Sequence, residues 1–172
     1  MRGVLGSLLF IFVFISSVLC AQNKRCDFYN KKADYLSISA GCFDFMREHH
    51  RTAEFRLEYK PYALKKLRPF LGVLGTAKAS FYIYFGVGLE LFFSKNIYFS
   101  PNLAAGYYLQ GKGKDLGYPL EFKSAIEFGW QFENQYRISA AISHISNASF
   151  GNKNPGQESL VITFSIPFRK SK

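Results

Sequence analysis

A period of two runs through most of this chain and limits it more than any other feature. Between Phe81 and Leu91, Phe81, Ile83, Phe85, Val87, Leu89 and Leu91 share one parity, while Tyr82, Tyr84, Gly86, Gly88 and Glu90 share the other. Between Leu120 and Phe132 the separation is sharper: Leu120, Phe122, Ile126, Phe128, Trp130 and Phe132 stand against Glu121, Lys123, Glu127 and Gln131. Phe55, Leu57 and Tyr59 oppose Glu54, Arg56 and Glu58 in the same way. Successive side chains of a strand point to opposite faces, so this alternation predicts strands with one apolar and one polar face. Eight such segments are legible, at 35–46, 50–59, 67–77, 79–92, 96–109, 118–132, 135–148 and 157–168. Turn-forming residues separate most of them, as at Ser94-Lys95-Asn96, Glu133-Asn134-Gln135 and the Gly-Lys stretch 111–117. Two places strain the pattern. Parity slips near Gly41, and Pro101 falls inside the fifth segment, where it removes a ladder donor.

The faces decide the fold class. The polar faces carry Glu54, Arg56, Glu58, Glu90, Glu121, Lys123, Glu127 and Arg137, mixed in sign. Such a mixture suits a narrow lumen filled by ion pairs, because eight strands leave room only for side chains. The apolar faces carry Phe and Trp at strand ends, as an aromatic girdle would. The segments also exceed the ~9–11 residues that a tilted strand needs to cross a bilayer. The expected fold is therefore all-β: an eight-stranded antiparallel transmembrane β-barrel of the outer membrane of a Gram-negative bacterium. A soluble, exported barrel of lipocalin type, with its apolar face inside, is the competing architecture.

The N-terminus fits export. Arg2 precedes an apolar run from Val4 to Val18, and small residues lie near Cys20 and Ala21. This is the form of a secretory signal peptide, so residues 1–20 are read as that signal, cleaved after Cys20 or Ala21, and 21–172 as one barrel domain. An uncleaved membrane anchor would need a longer apolar run of ~20 residues. Cys26 and Cys42 remain after cleavage and could pair in an oxidising compartment. Neither resembles half of a metal site, and no metal or cofactor is expected. The net charge of +10 points to an anionic partner. Export argues against nucleic acid and in favour of phosphate-bearing lipid headgroups.

The stretch SHISNASFGNKNPGQES, residues 143–159, breaks the apolar rule. Tyr136, Ile138, Ala140 and Ile142 share a parity that His144 and Ser146 continue. Glu158 heads the register of Leu160, Ile162, Phe164, Ile166 and Phe168. A hairpin folding about Gly151-Asn152 brings Glu158 opposite 144–146, so three polar groups project together from the lipid-facing side. Residues i and i+2 on one strand face stand ~6.5–7 Å apart, within reach of an imidazole and a hydroxyl. A nucleophile, a base and an orienting carboxylate on one surface is the logic of a catalytic triad. His49-His50, being adjacent, point to opposite faces of any strand and are read as a hairpin tip.

The His144-Ile145-Ser146-Asn147-Ala148 block, with Asn154-Pro155-Gly156 and Glu158, resembles the C-terminal signature of the lipid A 3-O-deacylase (PagL) family, whose members are eight-stranded outer-membrane barrels. That resemblance implies Ser146 as nucleophile, His144 as general base and Glu158 as the residue orienting it. It further implies Asn147 as an oxyanion-hole donor and Asn154 as a loop residue supporting the site. The implied reaction removes an ester-linked 3-hydroxyacyl chain from lipid A through an acyl-serine intermediate. Lipopolysaccharide is then the substrate, outer-membrane lipid the surroundings, and a homodimer a candidate assembly. Lys112, Lys114 and Lys153 are candidates to meet the lipid A phosphates. The chain departs from other outer-membrane barrels at its end, where Arg169-Lys170-Ser171-Lys172 follow Phe168. Two further functional classes fit the same alternation: a non-catalytic structural or adhesion barrel, and a lipocalin-like carrier.

Overall fold

The computed structural model describes residues 33–64 and 66–170. The expected signal peptide, its expected cleavage positions and Cys26 lie outside the described residues. The strands are β1 (Ala33–Phe43), β2 (Thr52–Lys60), β3 (Leu67–Thr76), β4 (Phe81–Leu89), β5 (Leu91–Phe92), β6 (Ile97–Leu109), β7 (Leu120–Gln131), β8 (Arg137–Ser146) and β9 (Gln157–Lys170). Every pairing is antiparallel, and β1 pairs with β9 to close the cylinder. β4 and the short β5 both lie against β6, so together they make one interrupted barrel strand, and the barrel has eight. Ala33 pairs with Lys170, which puts both described ends of the chain at one rim, the terminal end. The connections 44–51, 77–80, 110–119 and 147–156 form the opposite rim, the loop end.

The alternation resolves as a lipid-facing exterior and a filled interior. Leu57, Leu71, Phe85, Leu103, Ile126 and Ile162 are among the large apolar side chains left exposed on the outside. Aromatic side chains band both rims. Tyr59 meets Phe168 and Tyr136 stacks on Phe164 near the terminal end, and Phe122 meets Phe150 near the loop end. A soluble lipocalin would bury this face; here it is turned outward.

Inside, most of the described charges are paired, while Glu121 is fully buried with neither carboxylate oxygen hydrogen-bonded. Glu58 accepts from Tyr84 Oη at 2.8 Å and Lys123 Nζ at 3.1 Å, and Lys60 Nζ bridges Glu58 (3.1 Å) and Glu127 (3.3 Å). Glu127 also accepts from Tyr98 and Ser139, each at 2.7 Å. Arg56 pairs with Glu54 and donates to Ser143 Oγ at 2.8 Å. Near the terminal end Glu90 accepts from Arg137 at 2.6 Å and Arg68 at 2.7 Å. The Arg137 guanidinium lies 4.0 Å from the centre of the Tyr35 ring. Interior charges cost several kcal/mol each unless paired, so this network is what lets polar residues fill the lumen. Two tyrosines fit inside only because a glycine faces each: a Cβ on Gly72 would lie 2.6 Å from Tyr84 Cζ, and Tyr98 crowds Gly129 similarly.

Three details differ from the sequence expectation. No parity slip occurs at Gly41, which pairs in register with Glu54 and Val161; the irregularity lies at Asp34/Tyr35 instead. At Gly41 the β9 backbone leaves no room for a side chain, with Val161 Cα 2.7 Å from the place of a Cβ. Leu91 does not continue the lipid-facing row. The ladder to β6 lapses at Leu89 and Glu90, although the Glu90 N–H extends the β3 register to Lys66 O (2.7 Å), and Leu91 and Phe92 are buried. Pro101 is tolerated because of that same break. β4 pairs with β6 only as far as Asn102 and β5 only at Tyr98–Phe99, so the missing Pro101 donor falls at the interruption.

Replacing Glu90 by Ala leaves Arg68 and Arg137 buried without their shared counter-charge. We expect a loss of about 3–5 kcal/mol, read as a lower urea midpoint in detergent micelles and a lower temperature for the heat-dependent shift in gel mobility.

Candidate active site

The register of β8 brings the expected residues to one place. His144 lies directly opposite Glu158 on β9, and on its other side directly opposite Ser124 of β7. His144 Nδ1 is 3.2 Å from Glu158 Oε1. The His144 side chain is 46% and that of Glu158 22% exposed, on the same wall as Ile142, Leu160 and Ile162. Ser146 is the next outward residue of β8, half-buried, at the loop-end edge of that wall. Ser146 and the imidazole are not hydrogen-bonded in this structure. They stand on one face of β8 at a same-face spacing of ~6.5–7 Å between α-carbons. Such bonds are commonly long until substrate arrives.

Gly156 sets the orientation of the ring. Its φ of +57° is a left-handed conformation, and a Cβ there would stand 2.7 Å from His144 Cε1 and 3.4 Å from Nε2. The Cε1–Nε2 edge therefore faces the beginning of β9, which is the level of Ser146. Ser124 shares the lipid-facing side but lies level with His144, below that edge. Its hydroxyl interrupts the β7 row of Leu120, Phe122, Ile126 and Phe128, and sequence reading passed over it.

The connection 147–156 corrects the expectation for Asn147. That side chain is fully buried, and both of its amide protons are committed, to Leu116 O at 2.9 Å and Lys153 O at 2.8 Å. Its Oδ1 accepts from Ser149 N–H at 2.9 Å. The reason is parity: the residue after an outward Ser146 must point inward. Asn147 thus holds a tight turn, closed by Phe150 N–H on Asn147 O at 3.0 Å, with Ala148 (φ 50°) and Ser149 (φ 66°) both left-handed. Two consecutive non-glycine residues in that region are costly and persist only where surrounding bonds impose them. Asn154 is the freer amide. Its Oδ1 accepts from Asn147 N–H at 3.1 Å, and its exposed Nδ2 has no partner among the described residues.

Residues far away in sequence complete the surroundings. Arg47 Nη1, from the connection 44–51, approaches Glu158 Oε2 at 3.7 Å, and donates to Gly156 O at 3.1 Å and Asp44 Oδ1 at 3.3 Å. Lys114, expected to meet phosphates, is instead buried with its Nζ 2.8 Å from Asp44 Oδ2. Lys153 pairs with Asp115 at 2.6 Å, and that bond, with the Gly117 N–H, holds Asp115 below the usual carboxylate range. Lys112 is exposed. His49 and His50 sit in a 3-10 turn (Glu48–His50) at the hairpin tip, away from the site. A groove of about 900 Å³ descends the barrel wall from His144 and Glu158, past Ser124, Ile126 and Ile142, to Val87 and Leu67.

Residues 45–167 match the family profile described as lipid A 3-O-deacylase (PagL), which takes in most of the barrel and all three candidate catalytic residues. The chain belongs to that family. It is accordingly an outer-membrane barrel and an ester hydrolase, which sets aside the soluble carrier and the non-catalytic barrel. The crystal structure of the outer membrane enzyme PagL is similar in fold, with a TM-score of 0.62 and 18% identity over 78% of this chain and 99% of that one. Neisserial surface protein A (NspA) aligns with a TM-score of 0.58 and 12% identity, over 78% of this chain and 97% of its own. A de novo designed transmembrane β-barrel reaches 0.60 at 8% identity, over 80% and 97%. No curated protein sequence matches the chain.

Gly156→Ala should fold and yet lose activity, because its methyl displaces the imidazole. We expect at least a ten-fold fall in ester turnover with unchanged gel mobility, the scale of a small misplacement near reacting groups. Asn147→Ala should leave the barrel intact but open the 147–156 connection to limited proteolysis.

Proposed function

We propose that this deacylase acts through a Ser146–His144–Glu158 triad that cleaves an ester-linked 3-hydroxyacyl chain from lipid A by way of an acyl-serine intermediate. The observation that carries this reading is the His144 Nδ1 to Glu158 Oε1 contact at 3.2 Å, on a wall otherwise built for lipid. With Nδ1–H donated to Glu158, Nε2 is left as the base for the Ser146 hydroxyl. Ser146 Oγ attacks the acyl carbonyl while His144 takes its proton. The tetrahedral intermediate then collapses as His144 protonates the departing sugar hydroxyl. Water, deprotonated by the same imidazole, releases the fatty acid. Glu158 holds the ring and balances the charge it gains.

The oxyanion donor in this reading is Asn154 rather than Asn147. The Asn147 N–H fixes Asn154 Oδ1, which leaves Nδ2 available to a developing negative charge. The groove below His144 supplies an apolar track for the acyl chain, so the ester lies at the groove's loop-end mouth. With the rim that carries Ala33 and Lys170 taken as the periplasmic one, that mouth stands at the depth of the outer leaflet, where lipid A resides. The substrate can therefore react without leaving the membrane.

The test is to express wild type, Ser146→Ala, Glu158→Ala and Asn154→Ala in a Gram-negative host and weigh lipid A by mass spectrometry. Wild type should shift lipid A down by one 3-hydroxyacyl chain. Ser146→Ala and Glu158→Ala should lower turnover by about 10⁴-fold, and Asn154→Ala by ~10²–10³. Intact lipid A in the wild-type strain would overturn the substrate, and full activity in Ser146→Ala the nucleophile.

A further inference from the structure

The triad accounts for one oxygen of Glu158 and leaves the other to a residue more than a hundred positions away. We infer that Arg47 is a positioning residue of the site, acting through Glu158; the inference rests on the triad proposed above. Oε1 faces His144 at 3.2 Å, and Oε2 faces Arg47 Nη1 at 3.7 Å. The carboxylate therefore lies between an imidazole and a guanidinium.

Although its side chain is 47% exposed, Arg47 is not a loose surface arm. Nη1 is bonded to Gly156 O at 3.1 Å and Asp44 Oδ1 at 3.3 Å. Asp44 is completely buried, and its second oxygen is held by Lys114 Nζ at 2.8 Å. Its backbone is left-handed (φ 52°), and its N–H donates to Gln157 Oε1 at 3.3 Å. The turn that carries Arg47 closes through Arg47 N–H on Asp44 O at 3.0 Å, and Phe45 N–H binds the carbonyl of Glu158 itself, also at 3.0 Å. A chain of charges thus runs Lys114–Asp44–Arg47–Glu158–His144, anchored at its far end in the loop-end rim.

The physical need is clear from the location. A carboxylate on a lipid-facing wall has few waters to hold it, and rotation about its last bond would take Oε1 off Nδ1. A fixed cation behind Oε2 opposes that rotation and holds Oε1 on the imidazole. The same guanidinium clasps Gly156 O, the residue against which the ring rests. Arg47 therefore braces both supports of His144 at once.

The experiment uses the full chain in detergent, with folding checked by heat-dependent gel mobility. The probe is a long-chain fluorophosphonate. Ser146 Oγ forms a bond to phosphorus, fluoride leaves, and His144 takes the hydroxyl proton, so the labelling rate reads triad activation without lipid A. Arg47→Ala should slow labelling about five-fold, the upper range for a partly exposed ion pair. Arg47→Lys should recover at least half of the wild-type rate, and Arg47→Glu should fall below Arg47→Ala. In a Glu158→Ala background, the effect of Arg47→Ala should shrink to the part carried by its bond to Gly156 O, well below the five-fold seen in the wild-type background. Lipid A turnover should fall in kcat with KM little changed.

Labelling of Arg47→Ala at the wild-type rate, with lipid A turnover lost through KM, would make Arg47 a contact for a substrate anion and overturn the inference. So would equal losses in Arg47→Lys and Arg47→Ala, or an additive effect in the Glu158→Ala background. Wild type that labels at Ser146 but leaves lipid A intact would sink the substrate alone and leave the Arg47 comparison standing. Wild type that does not label at Ser146 would sink the triad, and this inference with it.

Discussion

Closure of the β-sheet on itself is the constraint on which everything else in this molecule rests. Backbone N–H and C=O groups in a bilayer have no water to bond, so a sheet survives there only if no edge is left unpaired. The β1–β9 pairing removes that edge. A local lapse, between β4 and β5, falls opposite a proline that has no donor to offer. Closure with eight strands then dictates the interior. The lumen is too narrow for bulk water, and its polar residues must satisfy one another, as Glu58, Glu90 and Glu127 do with their basic and tyrosine partners.

Rigidity of that kind is useful to the catalytic site proposed on the outer wall. His144, Ser146 and Glu158 stand on strands whose inner neighbours are locked into the lumen network. Ser143 is bound to Arg56, and Ser159 to Glu54. A site on strands is held more tightly than one on loops. The loops add what the strands cannot. Asn147 fastens 147–156 to 110–119 through Leu116, and the Asp44–Arg47 turn meets Glu158 from across the rim. The polar groups thus face lipid while their supports lie in the protein, which suits a substrate whose ester lies at the membrane surface and whose chain lies within it.

Much of the fold was legible because a barrel strand writes its two environments into every second residue. Lipid demands Phe128 and Trp130; the lumen demands Glu127 and Gln131. Where no such demand acts, the reading lost accuracy. Leu91 followed the parity of its row but is buried, because the ladder to β6 lapses at Glu90, which serves two arginines. The clustering of His144, Ser146 and Glu158 on the outer wall was legible for the opposite reason, as three polar residues where lipid asks for apolar ones. Ser124 carries the same signal, but a lone serine among phenylalanines is a weaker mark than a histidine or a glutamate.

The sequence alone therefore determined the strand count, the inside and outside of the wall, and the side on which His144, Ser146 and Glu158 stand. All of these follow from a period of two that needs no knowledge of which strands are neighbours. Tertiary structure decided what depends on distance between remote segments. It turned the Asn147 amide into a scaffold and left Asn154 free, buried Lys114 against Asp44, and laid Arg47 behind Glu158. Local alternation says which face a side chain occupies. Only the closed barrel says which other side chains share that face.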